Sequence, residues 1–284
     1  MRRCVMKGRE PRSAYVLGHS DREIARLKAQ ARVIDPITRR FFREAGIGPG
    51  MRVLDVGSGA GDVAFLAADL VGESGEVVGA DRVPEALQAA RTRAASHGRR
   101  NVTFHEGDPA AMSFERPFDA VLGRYVLQFQ KDPAAMLRKL AAHVRPGGVV
   151  VFHEIDWGGV ASVPPVPTYD RCCRWVMETL RLHATERRMG TKLHPTFVAA
   201  GLPPPSLRLE AVIGGGANSV DVLQLVADLV PTLLAEMERL GVTTAAEADV
   251  GTLVERMRSE AIASSSVIVG HYQIAAWATP GESS

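Results

Sequence analysis

A chain of 284 residues with 46% hydrophobic residues is long enough for one large domain with additions, or for two small ones. Lys and Arg total 34 against 32 for Asp and Glu, and the resulting net charge of +2 is too small to suggest nucleic acid or a membrane surface as the main partner. The basic N-terminus "MRRCVMKGREPRS" lacks the apolar core of a signal peptide, and no stretch approaches the roughly 18 apolar residues of a membrane span. Cys4, Cys172 and Cys173 form neither a disulfide framework nor a zinc pattern, so the expectation is a cytoplasmic protein with reduced thiols and no bound metal.

In chain order, Ser20-x-x-Glu23 is a candidate capping box. It opens a helix with Ile24, Leu27, Ala31 and Ile34 on one side, broken near Pro36, and a second helix runs to about Ala45. Val53–Val56 is a short strand; Asp62–Leu70 is helical and stopped by Gly72. Glu76–Ala80 is a second strand, followed by a helix from Pro84 to the stop at Gly98. Asn101–Glu106 and Phe118–Gly123 are further strands. A helix from Asp132-Pro133 ends at "RPGG", and "VVVFHE" is a fifth strand. Apolar strands alternating with helices predict a parallel sheet covered on both faces. Beyond it come a proline-rich loop, a helical stretch from about Tyr169 to Arg188, a short helix at Leu193–Ala200, a strand at Leu207–Ile213, helical spacing through Val222–Leu240, and a last strand at Val267–Trp277.

The informative stretch is "VLDVGSGAG", Val53 to Gly61. A glycine-rich turn between a strand and a helix lets the backbone approach a ligand. There is no Lys-Ser or Lys-Thr for a Walker loop, and the third glycine of a dinucleotide fingerprint would fall on Asp62. An acid in the first helical turn opposes a pyrophosphate. Asp55, in front of the glycines, repels phosphate and attracts an ammonium. Asp81 ends the second strand, where a carboxylate accepts from a ribose diol, and Asp108 follows the third, where it accepts from an adenine amine. A ligand with an adenosine, positive charge and no phosphate fits all three, and S-adenosylmethionine is such a ligand.

"VLDVGSGAG", the acid at 81, "GD" at 107–108 and "RPGG" before a strand resemble, in order and spacing, the class I S-adenosylmethionine-dependent methyltransferases over about residues 46–154. "YVLGHSDREIARLKAQ" and the late "WAT" are similar to a group of small-molecule methyltransferases from bacteria. The resemblance implies an α/β, Rossmann-like, seven-stranded mostly parallel sheet with helices on both faces, an antiparallel last strand, and helical cap insertions. The expected organisation is a helical lid at 1–45, a cofactor-binding core at 46–156, caps at 157–190 and 214–265, core continuation at 191–213, and the last strand and tail at 266–284.

Residue by residue, the resemblance implies that Gly57, Ser58 and Gly59 approach the methionine part of the cofactor and that Asp55 orders this loop and faces the amino group. Asp81 takes the ribose, and Arg82, Gly107, Asp108 and Pro109 surround the adenine. Gly123 and Arg124 face the reactive methyl, with Arg124 paired either to an anionic substrate or to a carboxylate of the cap. Tyr15 in the lid is a candidate for the cofactor's carboxylate. His19, Arg124, Tyr125, Asp156, Trp157 and Trp175 are the candidate substrate pocket, and His153 and Glu154 are candidate bases. The expected reaction moves a methyl group to an O-, N- or C-nucleophile of a small, partly hydrophobic acceptor, with no nucleic acid, no membrane, and a homodimer through the helical insertions as one arrangement. The alternatives are a catalytically silent cofactor-binding regulator and an NAD-dependent oxidoreductase.

Overall fold

A computed structural model describes residues 21–281, with side chains described from Gln30 onward. Eight strands, β1 (Arg52–Val56), β2 (Glu76–Asp81), β3 (Val102–Glu106), β4 (Phe118–Arg124), β5 (Val144–Asp156), β6 (Ala161–Val163), β7 (Ser206–Gly215) and β8 (Val267–Ala278), form one sheet. Its order is β3-β2-β1-β4-β5-β8-β6, with β7 also paired to β8. β1 to β5 are parallel, and β8 runs antiparallel to both β5 and β7. The seven expected strands are therefore present with the expected antiparallel last one, and the eighth is the three-residue β6.

The helices are α1 (Asp21–Glu44), α2 (Asp62–Val71), α3 (Pro84–Ser96), α4 (Pro133–Ala141), α5 (Pro167–Leu182), α6 (Met189–Ala199), α7 (Val220–Ala227), α8 (Leu229–Arg239), α9 (Ala245–Ala248) and α10 (Leu253–Ala263). Val53 and Leu54 are adjacent in β1, so they face opposite sides of the sheet. Val53 packs with Val63, Ala67 and Leu87 of α2 and α3; Leu54 packs with Leu137, Leu193 and Phe197 of α4 and α6. That two-sided burial is why the central strands read as continuous apolar runs. A third core, Trp157, Tyr169, Cys172, Val176, Val226, Leu233 and Met257 among others, holds α5, α7, α8 and α10 together. No described helix is long and apolar enough to cross a membrane.

The expected break at Pro36 is absent: α1 is continuous from Asp21 to Glu44. Pro36 is exposed, so the carbonyl it leaves unpaired one turn earlier lies on the solvent side, where helices curve outward. Buried Ile34, Ile37, Phe41 and Phe42 anchor the helix on either side of it. Pro36→Ala is expected to raise stability by about 1 kcal/mol by restoring that hydrogen bond; a thermal melt that does not rise would show that the proline costs this helix nothing. The helix predicted to reach Arg188 ends at Leu182, because Ala184 takes a left-handed φ of 55° and Thr185 N–H donates back to Leu180 O at 3.0 Å.

Candidate active site

The C-terminal ends of β1, β2, β3 and β4 converge on the glycine loop. Gly57, Gly59 and Gly61 have φ of 65°, 52° and 91°, conformations that favour glycine. A Cβ on Gly59 would meet open space, so this part of the loop presents bare backbone outward; a Cβ on Gly57 would lie 3.0 Å from Val126. Gly57 and Ser58 N–H both donate to Ala80 O, at 2.8 and 3.1 Å, which ties the loop to β2.

Asp81 organises this region. Its Oδ2 accepts from Gly59 N–H at 2.8 Å and its Oδ1 from Val83 N–H at 2.9 Å. A carboxylate has about four acceptor directions, so each oxygen retains one for a ligand. Gly107 N–H donates to Asp81 O at 2.9 Å, which draws the end of β3 alongside. Asp108 there accepts from Ala110 N–H at 3.0 Å and pairs with Arg82 at 2.5 Å, and Pro109 O lies 3.2 Å from His143 Nε2. Asp108 and Arg82 form one exposed pair at the rim.

Asp55 is the unusual member. It is buried, and its Oδ2 has no partner; Ser58 Oγ beside it is likewise buried without one. Burial holds the Asp55 carboxyl well above the usual carboxylate range, and nearby Arg124 offsets part of that rise. Buried polar atoms without partners are rare and call for an explanation, a bound ligand among them. An acceptor and a hydroxyl under a bare glycine backbone fit a group that brings its own N–H donors, such as an ammonium, which is the test an S-adenosylmethionine site must meet.

At the end of β4, Gly123 is small for packing: a Cβ there would lie 2.6 Å from the Phe152 ring. Arg124 is buried, and its guanidinium donates to Asp35 Oδ1 at 2.7 Å and Thr38 Oγ1 at 3.0 Å. The expected alternatives were an anionic substrate or a carboxylate of the cap; the carboxylate here comes instead from α1, in the segment expected as the lid. Tyr125 has a left-handed φ of 59°, a strained conformation for a bulky residue. Its N–H donates to His153 O at 2.9 Å and its hydroxyl to Gln273 Oε1.

Several expected pocket residues are enclosed instead. His153 lies with Nδ1 3.2 Å from Thr38 Oγ1 and Nε2 2.7 Å from Gln273 Oε1. Burial first, then Arg124, lowers its pKa to about 3, so it is neutral. Glu154 Oε1 accepts from Val126 and Leu127 N–H at 2.8 and 2.7 Å, and Oε2 from Gln128 N–H at 3.4 Å. Burial raises its pKa to about 7 against those bonds. The candidate bases thus serve the core, because the strand runs on to Asp156 and both residues lie inside the sheet. Asp156 is spent on Gly158 N–H at 2.7 Å and Thr191 Oγ1 at 2.6 Å, and Trp157 is buried 5.0 Å from the His271 ring. Neither lines an entrance. Trp175 is half-buried against the third core under Arg171, 5.7 Å from its ring. Tyr15, His19 and Ser20 lie outside the described residues. No metal-holding group of three or more His, Cys, Asp or Glu occurs among the described residues.

Sequence reasoning missed Asp35, Thr38 and Gln273. The available signals were polar residues interrupting apolar patterns, "VIDPIT" in α1 and "YQIAA" in β8.

Residues 47–201 match a family described as a methyltransferase domain, which is more than half of the chain. The chain belongs to the methyltransferase domain family. Among curated relatives, nocamycin O-methyltransferase of Saccharothrix syringae is 31% identical over 180 residues, 63% of this chain and 58% of that protein. Aklanonic acid methyltransferase DauC of Streptomyces sp. (strain C5) is 36% identical over 118 residues, 41% and 54% of the two chains. Demethylmenaquinone methyltransferase of Lactococcus lactis is 32% identical over 121 residues, 42% and 46%. The matches thus span about half the length of these relatives. In fold, the chain is similar to YcgJ of Bacillus subtilis (TM-score 0.52, 19% identity, 84% of this chain and 97% of that one). It is also similar to phosphoethanolamine N-methyltransferase 2 of Haemonchus contortus, solved with phosphomonomethylethanolamine and S-adenosylhomocysteine (0.52, 19%, 83% and 50%). The methyltransferase domain proper ends just past α6, so α1, β7, β8 and α7 to α10 lie outside the matched span. Asp35, Thr38 and Gln273, which enclose Arg124 and His153, belong to those outer segments.

Proposed function

We propose that the protein is an S-adenosylmethionine-dependent methyltransferase that acts on an O-, N- or C-nucleophile of a small, partly hydrophobic molecule. The observation that carries this reading is the pair of unpartnered buried atoms, Asp55 Oδ2 and Ser58 Oγ, under a glycine backbone. In this reading Asp55, Gly57, Ser58 and Gly59 hold the methionine part of the cofactor. Asp81 takes the ribose, and Arg82, Gly107, Asp108 and Pro109 border the adenine. Gly123, Arg124 and Tyr125 close the methyl end.

When bound, the cofactor supplies a methyl group already activated by the sulfonium charge. This chain's residues then have to orient the two reactants and exclude water, and such alignment lowers a barrier by roughly 7–11 kcal/mol. Arg124, gripped by Asp35 and Thr38, fixes α1 over the strand ends and sets positive charge near Asp55. His153 and Glu154 act as internal supports, so the reading takes a nucleophile that needs no base from this pair. A cytoplasmic, bacterial setting belongs to the same proposal, supported by the free buried thiols of Cys172 and Cys173.

The test is calorimetric titration with S-adenosylmethionine and with NAD, then transfer of a labelled methyl group to a panel of phenols, amines and carbon acids. Binding of the first ligand alone, followed by label transfer, is expected. Binding without transfer to any acceptor would favour the silent regulator, and binding of NAD alone would sink the reading.

A further inference from the structure

β7 is an edge strand. It pairs with β8 along one side, and no described strand pairs with the other. Unpaired edges of this length invite another strand, and folded proteins commonly blunt them with inward charges, bulges or cover. Here the two faces of the strand differ. Arg208 and Glu210 point to the face covered by α1, where they pair with Glu44 and Arg40. Leu207 and Leu209 point to the opposite face, and each is 50% exposed.

The exposure has a structural cause. Leu207 and Leu209 stand beside Ala276 and Ile274 of β8, which α6 covers through Met189, Leu193 and Phe197. That helix stops short of β7, so the apolar face of the sheet continues one strand beyond its lid. Val198, on the outward side of α6, is also exposed.

We propose that the occupant of this edge is a second copy of the chain, with β7 pairing antiparallel to its symmetry mate about a two-fold axis through Leu209. An isologous interface needs a surface complementary to itself, and directly opposed residues must share a face. With the axis at Leu209, Leu209 opposes Leu209 of the partner subunit and Leu207 opposes the partner's Ala211, which makes a continuous apolar row. Arg208 opposes the partner's Glu210, twice. Moving the axis one residue back sets Arg208 against Arg208 of the partner subunit; one residue forward sets Glu210 against Glu210 of the partner subunit. Like charges directly opposed are destabilising, so charge selects the Leu209 register over both neighbours.

The flanking helices permit the approach. α1 lies over β8, where Ile37 and Phe41 pack on Ala275. Two such helices would stand three strand spacings apart, about 14 Å, beyond the 8–10 Å of helix contact. The pairing is limited at its start by Pro203, Pro204 and Pro205, which donate no hydrogen bond. This arrangement uses the sheet edge, not the helical insertions, and it does not depend on what the active site binds.

The experiment is sedimentation equilibrium of the full chain over a concentration series. The wild type is expected at twice 30.5 kDa, and Leu209→Arg at the single mass with an unchanged circular dichroism spectrum. Arg208→Glu and Glu210→Arg, each alone, are expected to be monomeric, since each puts like charges opposite one another. Mixed in equal amounts, they should regain the doubled mass, because every cross-strand pair becomes opposite in sign. A wild type that stays monomeric, a dimer that survives Leu209→Arg, single charge variants that remain dimeric, or a mixture that stays monomeric would each overturn the proposal.

Discussion

Asp81→Ala is expected to weaken S-adenosylmethionine binding by roughly 100-fold or more. The carboxylate holds Gly59 and Val83 N–H at 2.8 and 2.9 Å, so its removal frees both ends of the turn on which a ligand would rest. Each donor left without a partner costs about 1–3 kcal/mol, and every 1.4 kcal/mol is a factor of ten. The same substitution also removes the proposed acceptor for the ribose. Asp108→Ala is the control: Asp108 is paired to Arg82 at the exposed rim, and its loss should cost less than about tenfold. Calorimetry on the three proteins decides the matter. Equal affinities would mean that the loop is not a cofactor site, and a larger loss at Asp108 would reverse the assigned roles of the two acids.

The second large effect is on stability, at Glu154. Its carboxyl sits fully buried beneath the turn at Val126–Gln128 and is the acceptor for three backbone donors. Glu154→Ala orphans at least two of them and leaves a cavity, a loss of about 3 kcal/mol. Glu154→Gln keeps an acceptor and removes the titration. The folded protein retains the Glu154 proton up to about pH 7, whereas the unfolded chain releases it near 4.5. Between those values the native state binds more protons, so stability from this group is complete below pH 4.5 and declines as pH rises to 7, by about 3 kcal/mol. His153 has the opposite sense. Its folded pKa is lowered from 6.5 to about 3, so stability is present above pH 6.5 and is lost as pH falls toward 3. Between pH 4.5 and 6.5 the Glu154 and His153 slopes oppose, while buried Asp55, also held above its usual range, adds to the fall. Measured relative to the wild type, the Gln variant should therefore gain stability as pH rises from 4.5 to 7, by about 3 kcal/mol. Urea unfolding at several pH values gives the difference directly, and parallel profiles for the two proteins would refute the assignment.

The strand ends that form the site were legible because backbone chemistry is local. Glycines at 57, 59 and 61 take left-handed conformations that few other residues adopt, and Asp81 ends, and Asp108 follows, strands whose C-terminal ends border the crevice. The parallel core was readable for a similar reason: strands buried on both faces must be apolar throughout, and Val53, Leu54 and Val56 are. Cys172 and Cys173 are buried and free.

Other assignments depended on partners remote in sequence. Arg124 was expected to pair with an anionic substrate or with a carboxylate of the cap, and only the fold put Asp35 of α1, 89 positions earlier, within 2.7 Å. His153 and Glu154 looked like bases because histidine and glutamate at a strand end often are. The tertiary structure surrounded one with Thr38 and Gln273 and gave the other three backbone donors. Pro36 predicted a break because proline removes a hydrogen bond; packing of Ile34, Ile37, Phe41 and Phe42 kept the helix whole. By itself, the sequence determined the strand order's local units, the glycine loop and its acids, since each follows from dihedral freedom, periodicity or charge within a few residues. Only the tertiary structure decided which polar side chains border the crevice and which support the core, because that depends on which distant segment occupies the other side of each group.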